Sequence, residues 1–266
     1  MKKLIYILFI LSAILCYAAT RPSHGPNALQ LPDFSSVVQQ EKQTATTDQP
    51  HSALTYLPTS VRPFGTAYYL KDILQAKIGK SNWIPLKMMP KAMPQALVAI
   101  EDRRFYEHHG VDFDGIMRAV LVNIQADEVV QGASTITQQL IKNTLLTNEQ
   151  SIQRKALEAA LALEVESRYS KDEILEMYLN TTYFGAGATG IKAAASTYFG
   201  LEPFQLSLPE CAMIAGLPYA PSALNPKDNP QDCKVRRNLV LTQMSKYGYI
   251  RHEEAQTAQA EGLVLK

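Results

Sequence analysis

The chain has 266 residues, of which 46% are hydrophobic and 19% are charged, and its formal net charge is +1. A chain of this length can bury a sizeable core, which predicts one domain with an appendage. The small net charge argues against binding nucleic acid through overall positive charge, so any anion must be recognised by a local group of charged residues. Cys16, Cys211 and Cys233 lack metal-ligand spacing and predict neither a zinc site nor a disulfide framework.

The N-terminus resembles a membrane-targeting sequence. Lys2 and Lys3 precede an apolar run from Leu4 to Ala19. This run is short beside the ~20 residues of a comfortable membrane span, although ~17 can serve. A cleaved signal peptide is the alternative, but its candidate cleavage sites are imperfect. We therefore favour an uncleaved anchor over residues 1–20. Both interpretations export the rest of the chain, because the lysines favour a cytoplasmic N-terminus.

Two further segments follow the anchor. Residues 21–58 are rich in Pro, Ser, Thr and Gln, which predicts a flexible extracytoplasmic stalk. Residues 59–266 would form the folded domain. Within it, Tyr68 to Pro90 is ambiguous and compatible with a short strand or hairpin. From Met93 onward the apolar periodicity is helical.

Helix start signals recur along the domain. We expect helices to begin at Ser134 and Ser151, and capping boxes at Ser170 and Ser207 predict two more. No extended alternating pattern follows Glu101, so the fold class is mostly α in one domain. The last two helices are predicted at Asp232 to Tyr247 and at Arg251 to Glu261.

Glu101 is the first candidate for chemistry. It follows the apolar run from Met93 to Ile100 on the same predicted helix. Desolvation beside an apolar surface raises the pKa of a carboxyl group, which suits a general base near neutral pH. The structural alternative is a helix-end ion pair with Arg103, Arg104 or Arg118.

Glu158 is the second candidate, because it interrupts an apolar helical run. An i, i+4 pair with Arg154 would be worth only ~0.3–0.5 kcal/mol, which does not explain an acidic residue in such a run. A buried carboxylate held by arginine could instead stabilise developing positive charge or orient neighbouring groups.

Between these two residues lies a strip of hydroxyl, amide and cationic side chains. Its members are spaced by three and four residues, so they fall on related faces of one helix. Together with Arg154 and Lys155 they could bind a pyrophosphate, helped by the free backbone donors of the helix start; the alternative is a solvated polar face. The strip comprises Ser134, Thr135, Gln138, Gln139 and Lys142.

His108 and His109 are adjacent, which places them on different faces of a helix, and no third metal ligand is evident. We therefore expect His108 to be structural or to contact the substrate. Asp112 and Asp114 would serve the turn after Gly110 and the helix start that follows it.

Five ordered blocks of sequence carry a resemblance to the peptidoglycan glycosyltransferases, glycosyltransferase family 51. This family occurs as a module of class A penicillin-binding proteins and as stand-alone enzymes. The likeness runs from about Ile84 to the C-terminus. The blocks are Glu101 to Asp112, Gly132 to Asn143, Arg154 to Glu158, Lys171 to Asn180 and Gly190 to Gly200.

The resemblance implies a lysozyme-like, two-lobed helical domain behind the anchor, with a groove for glycan and lipid between the lobes. Glu101 would be the general base of an inverting transfer that polymerises lipid II and expels undecaprenyl pyrophosphate. Glu158 would support the transition state or position the acceptor. Lys142 and Arg154 would meet the pyrophosphate. Asp102, Phe105, His108, Thr135 and Gln139 match positions that line or shape the family's site, and Ser134 and Gln138 lie in the same strip.

Two positions depart from the family pattern. Ala133 stands where a second glycine is frequent, and Gln150 stands where many members have an arginine that grips the diphosphate. If the site uses position 150, either the leaving group is bound more weakly or Lys155 or another cation compensates. The transpeptidase motifs Ser-x-x-Lys and Lys-Thr-Gly do not occur, which predicts a monofunctional enzyme.

The expected setting follows from the same resemblance. The domain would act outside the bacterial cytoplasmic membrane on a single-pass anchor, with lipid II, the growing glycan strand and cell-wall synthesis proteins as partners. Family members respond to divalent cations such as magnesium or manganese, but no dedicated metal cage is evident. The alternatives are a lysozyme-like glycoside hydrolase, since paired carboxylates also suit hydrolysis, and an inactive cell-wall scaffold.

Overall fold

The structure, a computed structural model, describes residues 62–126, 134–146 and 151–266. The predicted anchor, the predicted stalk and the departures at positions 133 and 150 lie outside these ranges. All described residues fall within the unit Leu54–Lys266. They form helices with no strand, and isolated bridges join His109 to Val111 and Tyr183 to Thr189. No helix in the described ranges combines the length and apolar character that a membrane crossing requires.

Eleven α-helices cover the described ranges, with short 3-10 turns at Leu86–Met88, Pro203–Gln205 and Leu217–Tyr219. In chain order they are α1 (Arg62–Tyr68), α2 (Leu70–Ile78), α3 (Ala92–Glu101), α4 (Phe113–Ala126), α5 (Ile136–Thr144), α6 (Ile152–Arg168), α7 (Lys171–Thr181), α8 (Ile191–Phe199), α9 (Leu208–Gly216), α10 (Pro230–Lys246) and α11 (His252–Ala260).

The mostly α prediction is confirmed, and the helix starts follow their capping residues. Ser151 caps α6 by accepting from the backbone N–H of Arg154, and Ser170 and Ser207 form the predicted capping boxes. Such caps satisfy N–H groups that have no partner in the helix and are worth ~1 kcal/mol each. The start of α5 was predicted one residue early, because Thr135 rather than Ser134 is its cap.

The segment from Tyr68 to Pro90, which the sequence left ambiguous, contains neither the strand nor the hairpin that its pattern allowed. This segment forms α2 and a 3-10 turn, held to α7 by polar contacts. Trp83 Nε1 donates to Glu176 Oε1 over 2.9 Å, and the backbone N–H of Ile84 donates to Asn180 Oδ1 over 2.8 Å. Partners so distant in sequence leave no local signal, so propensity alone could not place the segment.

The core forms around α3, which packs against α9 and α10, while α5 packs against α6 and α7. Met93 and Leu97 of α3 and Leu140 of α5 are fully buried. Burying a leucine or methionine side chain contributes roughly 1.5–3 kcal/mol, so these contacts hold α3 against its neighbours. Glu101 is the last residue of α3, so the same packing also positions Glu101.

Candidate active site

A cleft of about 390 Å³ opens where α3 ends. Glu101 and Asp102 line it from α3, Ser134, Thr135 and Gln139 line it from the start of α5, and Tyr219 and Arg236 line it from the C-terminal part. The Glu101 side chain is 12% exposed. It is therefore shielded from bulk water and yet reachable from the cleft.

Two groups hold the Glu101 carboxylate. Gln139 Nε2 donates to Oε2 over 3.0 Å, and Arg236 Nη2 lies 3.5 Å from Oε1. Burial raises the pKa of Glu101 above that of an ordinary glutamate, although the Gln139 hydrogen bond and the charges of Arg236 and Lys142 act in the opposite direction. A carboxylate with a raised pKa accepts protons better near neutral pH than an exposed one.

The ion-pair partner of Glu101 differs from the sequence-based alternatives. Arg103 donates to the Tyr247 hydroxyl over 3.3 Å, and Arg104 pairs with Glu107, Asp112 and Asp114. Arg118 lines the cleft but makes no ion pair with another residue in the described ranges. These arginines are therefore not the groups that neutralise Glu101.

Arg236 lines the cleft beside Glu101, and the sequence did not predict it there. Its guanidinium lies 4.4 Å from the centre of the Tyr219 ring, and its Nε donates to the carbonyl of Gly216 over 3.3 Å. These contacts hold the cation beside Glu101 from α10. In the sequence Arg236 is one arginine inside the helix predicted from Asp232 to Tyr247. Because that helix is far from Glu101 along the chain, nothing in the sequence connects the two residues.

Glu158 occupies a different environment. It is 1% exposed and does not line the cleft, and Arg154 Nη1 donates to its Oε2 over 3.0 Å while Lys155 Nζ donates to its Oε1. Lys155 Nζ also contacts Ser134 Oγ over 3.0 Å, and Ser134 lines the cleft. Glu158 thus holds two cations, one of which connects it to the cleft through Ser134.

Asp102 organises the floor of the cleft. Its carboxylate lies 3.0 Å from His108 Nε2 and accepts the backbone N–H of Ile136 over 3.0 Å. Thr135 Oγ1 donates to the carbonyl of Gly110 over 2.7 Å. These bonds tie the start of α5 to the loop after α3, so they fix Gln139 relative to Glu101.

Besides Glu158, Lys142 and Arg154, three further residues expected at the site do not line the cleft. Phe105 is fully buried, with Lys171 Nζ 4.4 Å from its ring centre. His108 is buried against Asp102, and Gln138 is buried because it completes the capping box of Thr135. All three therefore support the site through packing and hydrogen bonds within the protein. A sequence motif does not distinguish a residue with this structural role from one that binds the substrate.

The remaining two candidates for anion binding are cations. Lys142 on α5 is exposed and lies close enough to lower the pKa of Glu101. Arg154 is partly exposed, 18% for its side chain, while it pairs with Glu158. The cleft thus brings a desolvated carboxylate together with hydroxyl and amide groups, and cations lie close to it.

Comparison with known proteins gives the family. The model of the family described as transglycosylase matches residues 70–245, well over half of the chain. The chain therefore belongs to the transglycosylase family. This family is the peptidoglycan glycosyltransferase family that the sequence motifs indicated, and membership supports an enzyme of that type.

Two kinds of relatives match. Penicillin-binding protein 1A of Aquifex aeolicus is 44% identical over 201 residues, which are 75% of this chain and 28% of that protein. Penicillin-binding protein 1A of Haemophilus influenzae is 47% identical over 72% of this chain and 23% of that protein. A candidate transglycosylase of Cupriavidus necator is 44% identical over 73% of this chain and 84% of that protein. The match thus spans about a quarter of the penicillin-binding proteins.

Proposed function

We propose that this protein polymerises lipid II into peptidoglycan glycan strands by inverting glycosyl transfer. The observation that carries the proposal is the shielded Glu101 carboxylate, whose raised pKa suits proton abstraction, at the edge of a cleft with cations nearby. Family membership supports the peptidoglycan class of substrate.

In the proposed reaction the acceptor oxygen attacks the sugar ring from the face opposite the leaving pyrophosphate, which inverts the anomeric carbon. Glu101 accepts the proton of the 4-hydroxyl group of the incoming lipid II sugar as that oxygen attacks the anomeric carbon of the growing strand's MurNAc. The new carbon–oxygen bond forms while the bond to the pyrophosphate oxygen breaks. Undecaprenyl pyrophosphate leaves with the electron pair, and the proton stays on Glu101 until solvent removes it.

Cations near the cleft would stabilise the leaving group. Lys142 and the pair Arg154 and Lys155 supply positive charge and hydrogen-bond donors, which pyrophosphate requires. In this proposal Glu158 acts indirectly: its buried carboxylate orients Arg154 and Lys155 and compensates their charge when no substrate is bound.

The setting is part of the proposal. We place the helical domain, in the lysozyme-like two-lobed form implied by the resemblance, on the outer side of the bacterial cytoplasmic membrane. Residues 1–20 would anchor it and residues 21–58 would form the stalk. A substrate that carries an undecaprenyl chain is held in a membrane, so an anchored enzyme meets it at high local concentration.

Incubating the full chain in detergent or lipid with labelled lipid II tests the function. We expect a ladder of polymers that a muramidase digests, with release of undecaprenyl pyrophosphate. A glycoside hydrolase would instead shorten preformed strands and create new reducing ends, and an inactive scaffold would do neither. Either of these outcomes would overturn the proposal.

A further inference from the structure

The orientation of the Gln139 amide matters for Glu101, because an amide offers a donor on one side and an acceptor on the other. Gln139 presents its Nε2 donor to Glu101 at 3.0 Å, and its Oε1 accepts a hydrogen bond from the Tyr178 hydroxyl over 2.8 Å. If the amide were reversed, its oxygen would face the Glu101 carboxylate, and two acceptors would then oppose each other.

Tyr178 fixes which way this amide points. The residue is fully buried on α7, and burial together with the Glu101 charge raises the pKa of its phenol, so the hydroxyl keeps its proton and remains a donor. A hydroxyl can donate and accept, and the Tyr178 hydroxyl, which also meets the side chain of Thr182, donates to the Gln139 amide oxygen over 2.8 Å. The Nε2 group is therefore left to face Glu101.

We propose that Tyr178 is a positioning residue for the base, acting through Gln139 to hold Glu101 ionised and in one orientation. The relay runs from the Tyr178 hydroxyl through the Gln139 amide to Glu101 Oε2 and leaves Oε1, on the side of Arg236, for the substrate proton. Tyr178 itself does not line the cleft. The kinetic part of this inference rests on the proposed function, whereas the effect on Glu101 does not.

Other charged groups also face Glu101. Arg236 of α10 and Lys142 of α5 favour its ionised form, and Asp102 at the end of α3 opposes it. None of these contacts Tyr178 in the described ranges, so removing the tyrosine hydroxyl leaves them in place. A change in Glu101 titration in such a variant therefore reports on the relay.

The first test is the pH dependence of kcat/KM for Tyr178→Phe, a change that removes one oxygen from a buried side chain. On the acidic side of the profile we expect the rate to fall by about threefold to tenfold relative to the parent, the worth of a hydrogen bond between neutral groups, because Tyr178 bonds the Gln139 amide and not Glu101 itself. The difference should shrink at alkaline pH, where Glu101 is ionised in both proteins. A uniform loss at every pH would indicate a structural role and would overturn the proposal.

Tyr198→Phe is the matched control. Tyr198 is also fully buried, and its hydroxyl donates to the carbonyl of Phe184 over 2.9 Å, away from Glu101. We expect this variant to keep the shape of the parent pH profile even if it loses stability. An equal shift in both variants would contradict the relay.

The second test needs no activity. In protein labelled with ¹³C-glutamate, the Glu101 carboxyl resonance is identified by its loss in Glu101→Gln and titrated directly. We expect its midpoint to move to higher pH in Tyr178→Phe and in Gln139→Met. Once Gln139 is methionine, adding Tyr178→Phe should cause no further shift, because the connecting amide is gone.

The two readouts separate the two proposals. A shifted midpoint in a parent protein that does not polymerise lipid II would remove the proposed function and keep the relay. An unshifted midpoint in both single variants would remove the relay, whatever the parent does with lipid II.

Discussion

The site contains two glutamates in opposite situations. Glu101 lies at a cleft, hydrogen-bonded by a neutral amide and with a single arginine at 3.5 Å. Glu158 has 1% exposure and two cations bound to it. Burial raises the pKa of Glu101 because its partners compensate desolvation incompletely.

The comparison indicates how one residue type serves two purposes. A carboxylate that exchanges a proton with substrate must be reachable and only partly neutralised, as Glu101 is. A carboxylate that holds cations must be enclosed and well paired, as Glu158 is.

The largest effect is expected for Glu101→Gln, which keeps the shape of the side chain and removes its basicity. Loss of a general base reduces turnover by about 10²–10⁴-fold, measured as the initial rate of lipid II polymerisation. Glu107→Gln is the matched control, because Glu107 is 64% exposed and does not line the cleft. Equal losses in the two variants would remove the special role of Glu101.

The two glutamates should differ in sign in their effect on stability. A raised pKa means that the folded state binds the Glu101 proton more tightly than the unfolded state, so stability is lost as pH rises through that range. Glu101→Gln should therefore leave the free energy of unfolding at neutral pH unchanged or increase it.

Glu158→Gln should have the opposite effect, because it leaves Arg154 without its buried counter-charge. We expect a loss of about 1–3 kcal/mol, since the half-exposed Lys155 can return to solvent. Urea unfolding of both variants measures the pair of values. Destabilisation by Glu101→Gln as large as that by Glu158→Gln would end the distinction between the two environments.

A smaller effect is expected for Lys142→Ala. Removing this cation should lower kcat/KM by roughly tenfold, because it weakens binding of the diphosphate and raises the pKa of Glu101 further. Lys91→Ala controls for surface charge, because Lys91 is exposed at the opposite end of α3 and is not among the charges that act on Glu101. Unchanged kinetics in Lys142→Ala would exclude the residue from the site.

The sequence predicted most of what depends on local chemistry. Capping residues and apolar periodicity located the helices from Ser151 onward, because caps and periodic faces are properties of neighbouring residues. The raised pKa of Glu101 also followed from the apolar run before it.

The sequence did not predict contacts between residues that are distant along the chain. Arg236 meets Glu101 only because α9 and α10 both pack on α3, and Tyr178 meets Gln139 because α7 packs on α5. The same limit explains Gln138, whose place in a cap rather than in the cleft depends on where α5 begins. Sequence motifs identified the residues near the site. The packing of the helices was needed to distinguish the residues that line the cleft from those that support it.

Comparing the acid limb of kcat/KM with the titration of Glu101 itself tests the account most directly. The account predicts that the rate falls as pH drops through the Glu101 pKa, and that the kinetic midpoint matches the ¹³C midpoint at a pH above the ordinary glutamate range. A Glu101 carboxyl that titrates like an exposed glutamate, or a rate whose acid limb lies elsewhere, would contradict it.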